Sequence, residues 1–343
     1  MAPCVISVVG GLNMDMVIET WRVPGVGESM DGTSLDNYPG GKGANTAIAT
    51  YRASHIKPGS GAGHGRGEAE GSSSVGDSDK PEIRVFMNGM VGNDEFGTQL
   101  KARLEENGID VSGVLTADGE RSGTCVVMVE SGTGESRNLA YQGANLKWKP
   151  REPNSVLCLA GGEKPDLVIA HLGIPREQVE KVLPTASKKG VDTLLNPSPA
   201  LHLVSSTYKN LTHLIMNESE AAELSGRDIE ELNNLTAWQT AAKHFLRLGV
   251  KNVVITLGAK GAYYATNKGE DGIVDAVKNV DVKDATGAGD TFVGNYATEY
   301  IKQKQGGEWD IVKAITRACK ASAKTIERFG AQESIPWADE IDS

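Results

Sequence analysis

From residue 166 onward, short apolar runs alternate with segments whose apolar positions recur every three or four residues. Leu167-Val168-Ile169-Ala170, Asp192-Thr193-Leu194-Leu195, His213-Leu214-Ile215-Met216 and Asn252-Val253-Val254-Ile255-Thr256 read as buried strands. Residues 176–188 and 237–248 read as helices, and Asn217-Glu218-Ser219-Glu220 opens another. This rhythm predicts an α/β fold, a mostly parallel central sheet with helices on both faces. The N-terminal half adds a strand at 5–9 that runs into Gly10-Gly11. It also adds a strand at 84–92, a helix at 94–106, and a helix whose face carries Ala44, Ala47, Ile48 and Tyr51.

Two stretches follow a different grammar. Residues 16–38 alternate irregularly around Pro24, Gly25 and Gly27 and predict an exposed pair of strands. Residues 124–129 and 138–141 alternate, rich in β-branched residues, around Ser131-Gly132-Thr133-Gly134, a hairpin signal. Together these can form a small sheet apart from the main one. Residues 57–82 carry recurrent glycines, Ser72-Ser73-Ser74, scattered charges and almost nothing large and apolar. They predict a flexible surface insertion in which His64 and Arg66 are solvated.

In a parallel sheet, ligands lie beyond the carboxyl ends of the strands. Asn13, Asp15, Asn196, Asn217, Glu220, Thr256 and Asp290 all fall at strand ends or helix starts. The richest stretch is Ala285-Thr286-Gly287-Ala288-Gly289-Asp290, after which Phe292, Val293, Tyr296, Ala297, Tyr300 and Ile301 mark a buried helix face. Small residues at a helix start let unpaired amides gather, and the helix dipole adds to their pull on an anion. Asp290 is then either a helix cap or a base beside a bound phosphate, with Asp284 just upstream. Pro39-Gly40-Gly41-Lys42-Gly43-Ala44-Asn45 is a second glycine-rich helix entry, in which Lys42 is a ligand group or simply solvated. Asn13 and Asp15 either reach a ligand or form an Asx turn. Glu218 and Glu220 either flank a Mg²⁺ site or complement a helix dipole.

Composition narrows the partners. The 343 residues carry a net charge of −10, with an isoelectric point near 5.2, which argues against a nucleic-acid-binding surface. No apolar run approaches the ~18 residues of a membrane span. Cys4, Cys125, Cys158 and Cys319 are scattered, as expected of reduced thiols rather than a zinc site or a disulfide framework. No leader pattern precedes the first strand, so the expected compartment is the cytoplasm, with the nucleus as a second. A dinucleotide-dependent dehydrogenase shares the strand rhythm, but no Gly-x-Gly-x-x-Gly follows the first strand.

The ordered motifs resemble the ribokinase, or PfkB-type, family of carbohydrate kinases over nearly the whole chain apart from 57–82. They are Gly11-Leu12-Asn13-Met14-Asp15, Gly40-Gly41-Lys42-Gly43-Ala44-Asn45, Asn196-Pro197-Ser198-Pro199-Ala200, Asn217-Glu218-Ser219-Glu220, Thr256-Leu257-Gly258-Ala259-Lys260-Gly261 and Asp284 through Asp290. Gly330-Ala331-Gln332 adds to the likeness.

The resemblance implies one ribokinase-like kinase domain across 1–343, with the small sheet as a lid and as the contact of a homodimer. It implies ATP-dependent phosphorylation of the 5-hydroxyl of ribose, with Asp290 as general base and the amides of Gly287, Ala288, Gly289 and Asp290 as an anion hole. Asn13, Met14, Asp15, Gly41, Lys42, Gly43, Ala44 and Asn45 would line the sugar pocket. Asn196, Thr256, Leu257, Gly258, Ala259, Lys260, Gly261, Gly289 and Asp290 would meet ATP. Asn217 and Glu220 would organise Mg²⁺ through water. Asp284, Thr286, Thr325, Arg328, Gly330 and Ser334 would hold K⁺, several through carbonyls. One departure stands out, because Gly173 occupies the place where such kinases carry a sugar-holding Glu. It leaves another sugar or a nucleoside (fructose, 2-deoxyribose, adenosine) as an alternative substrate. A non-catalytic sugar- or nucleotide-binding relative is the alternative of another class.

Overall fold

The computed structural model describes residues 3–59, 82–132 and 136–342. Residues 60–81 of the insertion expected at 57–82, and residues 133–134 of the turn expected at 131–134, lie outside these residues.

The main sheet is built from β1 (Cys4–Val9), β4 (Ile83–Gly92), β5 (Asp110–Ala117), β8 (Leu167–His171), β9 (Asp192–Asn196), β10 (His213–Asn217), β11 (Asn252–Thr256), β12 (Ala262–Thr266) and β13 (Asp271–Val274). These nine strands lie in the order β13-β12-β11-β10-β9-β8-β1-β4-β5. Pairing is parallel from β11 through to β5, and β12 and β13 continue it antiparallel. The central strands β1, β8, β9, β10 and β11 are largely apolar because both faces are covered, whereas the edge strands β5 and β13 are partly polar and exposed. On β8, Leu167 and Ile169 join one core while Val168 and Ala170 join the other.

The first core is closed by α1 (Lys42–Arg52), α2 (Glu95–Glu106), α7 (Ala288–Gly306) and α8 (Ile311–Ile326). The second is closed mainly by α3 (Arg176–Lys188), α5 (Glu218–Ser225) and α6 (Leu235–Leu248). Short helices α4 (Ser205–Tyr208) and α9 (Ala338–Asp342) complete the set. The chain runs from β1 to β4 in one direction and returns through β8 in the other. The β1/β8 boundary is therefore the switch point at which a ligand crevice opens.

A second sheet has four strands, β3 (Ser34–Gly40), β2 (Asn13–Thr20), β6 (Gly123–Glu130) and β7 (Ser136–Tyr141), in that order. Its core pair, β2 with β6, is parallel, and both edges are antiparallel. It starts earlier than the alternation at 16–38 suggests, because Asn13 already pairs with Gly40 and Gly123. Asn13 and Asp15 are thus strand residues on one face, and the Asx-turn reading falls away. Strands β5, β12 and β13 and helix α8 are additions to the elements expected from sequence.

Candidate active site

Three close approaches of backbone build the site. Gly41, at φ +94°, caps the start of α1, and the amide of Gly43 reaches the carbonyl of Gly11 (3.1 Å). A Cβ on Gly43 would stand 2.7 Å from the Gly10 carbonyl carbon, so α1 starts flush against the end of β1. Helix α7 then crosses α1 at Gly294, and Thr298 Oγ1 donates to the Thr50 carbonyl (3.0 Å). The crossing brings Asn45, in the first turn of α1, within reach of Asp290, in the first turn of α7. Asn45 Nδ2 donates to Asp290 Oδ2 at 2.9 Å, buried.

Asp290 is therefore not a cap. The N-cap of α7 is Gly287, at φ +79°, with no side-chain cap. Asp290 is 6% exposed, and burial pushes its carboxyl above the ordinary carboxylate range, while Lys42 and the Asn45 hydrogen bond pull it back. Among the described residues, nothing accepts from the amides of Gly287, Gly289 or Asp290. Above Gly289 there is open space. Unpaired helix-start amides beside a buried carboxylate form a receptor for an anion with a proton acceptor next to it.

On β2, Asn13 and Asp15 share one face. Asn13 Oδ1 accepts from Asn145 Nδ2 (2.8 Å), which leaves the Asn13 NH₂ as the free end of the amide. Asn145 is fully buried and also exchanges hydrogen bonds with the Leu12 carbonyl (2.9 Å) and amide (3.0 Å). Gly123 makes the room, since a Cβ there would collide with both asparagine side chains. The Asp15 carboxylate lies over Gly40, where a Cβ would strike it. Its pKa is raised to about 6, first by burial and then by the charge of Asp290, with Lys42 opposing. Met14 points to the opposite face and is fully buried in the core, as is Ala44. Neither side chain lines the crevice.

A cavity of about 70 Å³ runs from Lys42 and Asp290 to Asn196, Ser198, Asn217, Glu220 and Thr256. Asn196 Nδ2 donates to the Ile215 carbonyl (2.9 Å) and its Oδ1 pairs with His171 Nδ1 (3.1 Å), so β8, β9 and β10 are locked at their carboxyl ends. His171 is fully buried, and burial depresses its pKa to about 3, so it is neutral. Of the run 256–261, only Thr256 borders this cavity. Leu257 is buried in the core, and the Lys260 ammonium sits over the Trp238 ring at 5.4 Å. Gly261 is demanded by the turn itself, since at φ +95° a Cβ would collide with the Val274 carbonyl.

Asn217 and Glu220 form a reciprocal capping box: Asn217 Oδ1 accepts from the Glu220 amide (2.7 Å), and Glu220 Oε2 from the Asn217 amide (3.0 Å). One Glu220 oxygen thus stays beside the cavity without a protein donor. Among the described residues no group of three His, Cys, Asp or Glu side chains could hold a metal.

Asp284 bridges two loops, accepting from the Thr286 amide (2.9 Å) and the Gly330 amide (3.0 Å). Thr325 Oγ1 donates to Thr291 Oγ1 (3.0 Å), and Arg328 pairs with Glu340 through its side chain, leaving only its carbonyl as a ligand group. Among the described residues, Ser334 Oγ is buried with no hydrogen-bond partner. That orphaned hydroxyl, with Asp284 across the loop, is an oxygen donor set that fits a monovalent cation. Gly173 lies at the switch point, where its carbonyl would be 3.0 Å from a Cβ on Gly11.

Four side chains have no role assigned from the sequence, although Ser198 and Gln332 lie inside its motifs: Asn145, which orients Asn13; Gln332, which touches Asn45; His171; and Ser198. Asn145 and Gln332 sit next to recognisable turns, Gly143 and Gly330. Their partners lie 132 and 287 residues away.

A sequence profile described as pfkB family carbohydrate kinase matches residues 5–338. A ribokinase of Schizosaccharomyces pombe is 35% identical over 98% of this chain and 96% of its own length. A ribokinase of Arabidopsis thaliana, solved in complex with ribose and ATP, superposes with a TM-score of 0.80 at 23% identity, covering 99% of this chain and 98% of that one. A ribokinase of Cryptococcus neoformans var. grubii, solved in complex with ADP, gives 0.71 at 25% identity, covering 100% and 99%.

Proposed function

This chain belongs to the pfkB family of carbohydrate kinases, and from that premise we propose that it transfers the γ-phosphoryl group of ATP to the 5-hydroxyl of D-ribose. The observation that carries this reading is the buried Asp290, held by Asn45 beside unpaired amides at the start of α7. The similarity to a ribokinase over nearly the whole of both chains supports the choice of sugar.

The sugar lies against β2. Asn13 donates from the amide end that Asn145 leaves free, and Asp15 accepts from sugar hydroxyls. Asp290 receives the proton of the attacking hydroxyl as the phosphoryl group moves. The amides of Gly287, Gly289 and Asp290 stabilise charge on that group, the Ala288 amide being already engaged by the Ala285 carbonyl (3.3 Å), and Lys42 adds a cation between the carboxylates and the phosphate path. The nucleotide runs along the cavity between Asn196 and Thr256. Catalysis is chiefly positioning and charge stabilisation, with the four-stranded sheet closing over the sugar as a lid of one kinase domain.

Mg²⁺ bound with the phosphates would neutralise their charge, and Glu220 and Asn217 fit as its outer partners through water. K⁺ fits the loop of Asp284, Thr286, Thr325, Arg328, Gly330 and Ser334, where it would satisfy the Ser334 hydroxyl and brace the anion hole. The outer face of the small sheet presents Leu35 and Leu139, 57% and 73% exposed, and would pair two copies into a homodimer. Among the described residues no helix is long and apolar enough to cross a membrane. The proposed compartment is the cytoplasm.

Gly173 favours a second reading within the same chemistry, a kinase of another pentose, a hexose or a nucleoside. ADP release measured across ribose, 2-deoxyribose, fructose and adenosine decides it. Highest kcat/KM on ribose supports the proposal, a preference elsewhere moves the substrate, and turnover of none overturns the kinase reading.

A further inference from the structure

Gln332 is 1% exposed and points into the site from the segment after α8. Its Nε2 donates to Asn45 Oδ1 at 3.1 Å, and Asn45 Nδ2 donates in turn to Asp290 Oδ2 at 2.9 Å. An amide has one accepting and one donating end, so a donor at Gln332 fixes which end faces Asp290. Turned over, Asn45 would set its oxygen against a carboxylate oxygen in a buried place, where two acceptors repel.

The segment carrying Gln332 is itself held. The buried Arg52 donates Nη1 to the carbonyls of Gln332 and Ile335, both at 2.8 Å, while its Nε (2.9 Å) and Nη2 (2.7 Å) grip Asn107 Oδ1. Among the described residues, Gln332 Oε1 is buried without a hydrogen-bond partner, so the side chain retains an unpaired acceptor while its donor is used on Asn45.

We propose that Gln332 is a positioning residue for the phosphoryl-transfer base: by holding the Asn45 amide in one orientation it keeps a donor on Asp290 and the free carboxylate oxygen toward the sugar hydroxyl. The inference rests on the kinase reading above for its chemistry but not for its geometry. The charged groups facing Asp290 are Lys42 from α1 and Asp15 from β2. Neither touches Gln332, so the relay is separable from them.

Two substitutions of similar bulk separate orientation from space-filling. Gln332→Met removes the donor and leaves Asp290 itself to attract the Asn45 NH₂, so kcat falls only ~2–5-fold. Gln332→Glu, with kcat followed from pH 7 to 10 so that the buried carboxyl is read in its charged form, offers an acceptor where the donor stood. Asn45 then turns its NH₂ toward residue 332 and its oxygen toward Asp290, and kcat falls at least ~30-fold while KM for ATP stays within ~2-fold. Equal losses in the two variants, or none, overturn the proposal.

A double-mutant cycle in thermal unfolding reads the same relay without substrate. Asp290→Asn supplies a donor that can meet the turned Asn45 oxygen, so it should at least halve the drop in Tm caused by Gln332→Glu. Additive shifts overturn the relay. If the unaltered protein turns over no sugar, the proposed function falls, and this cycle alone decides the positioning role.

Discussion

Helix α7 passes Ala49 of α1 so closely at Gly294 that a Cβ added there would stand 2.6 Å from the alanine Cβ and from the Thr50 amide nitrogen. One turn earlier on each helix sit Asp290 and Asn45. Gly294→Ala must push the helices apart against backbone, which should cost ~1–3 kcal/mol of stability. It should also lower kcat by stretching the Asn45–Asp290 hydrogen bond. Urea unfolding and steady-state kinetics on one preparation check both, and full activity with reduced stability would uncouple the crossing from the base.

Replacing the base itself should separate binding from turnover. Asp290→Asn should retain ribose and ATP binding by calorimetry and lower kcat by ~10²–10⁴-fold. A kcat within about tenfold of the unaltered enzyme would remove Asp290 from the role of proton acceptor.

Asp15 gives the pH dependence. Its folded pKa of about 6 lies above the ordinary Asp value of 3.8. The folded state therefore binds the Asp15 proton more tightly than the unfolded state does. The stability tied to that proton is fully present below about pH 4 and is lost as pH rises through about 6. Asp15→Asn should accordingly be more stable than the unaltered protein at pH 7, by on the order of 1–3 kcal/mol, and the gap should close at pH 4. In the proposed site activity runs the other way, because a charged Asp15 would accept from sugar hydroxyls. An acid limb near pH 6 in kcat/KM for the sugar should be present, and Asp15→Asn should remove the Asp15 contribution to it and leave that of the Asp290 carboxyl.

Asn145 stands outside the proposed sugar site, yet it holds the Asn13 amide that the site would use. Asn145→Leu should raise KM for the sugar while leaving KM for ATP nearly unchanged. It also strands the buried amide and carbonyl of Leu12, at a cost of ~1–3 kcal/mol each. The same rise in both KM values would reassign Asn145 to stability alone.

For the cation, replacing K⁺ by Na⁺ should lower kcat, and Ser334→Ala should narrow the difference between the two ions. Indifference of the unaltered enzyme to the swap would detach the Asp284–Ser334 loop from catalysis.

Much of this architecture is written in short-range pattern. Strands at 167–170, 192–195, 213–216 and 252–256 were legible because both faces of the sheet are covered, which makes their composition continuously apolar. Their carboxyl ends gave Asn196 and Thr256 with no further information. The edge strand Asp271–Val274 was not legible, being short, polar and half exposed. Motif reading also took in too much: Met14 belongs to the same short run as Asn13 and Asp15, but the two-residue period of a strand sends it into the core. The opposite failure concerns Asn145 and Gln332. What they do depends on partners brought by other elements, and no local period encodes that.

The distances along the chain between these partners have a consequence for synthesis. Asp290 follows Asn45 by 245 residues and Gln332 follows it by 287. A nascent polypeptide thus presents β2 (Asn13–Thr20) long before the residues that meet Asn45 have been made. A product released between residues 306 and 332 would carry all nine strands of the main sheet and both glycine-rich helix entries, yet lack the Gln332 donor on the Asn45 amide beside Asp290, so the site is assembled only after the sheet is complete.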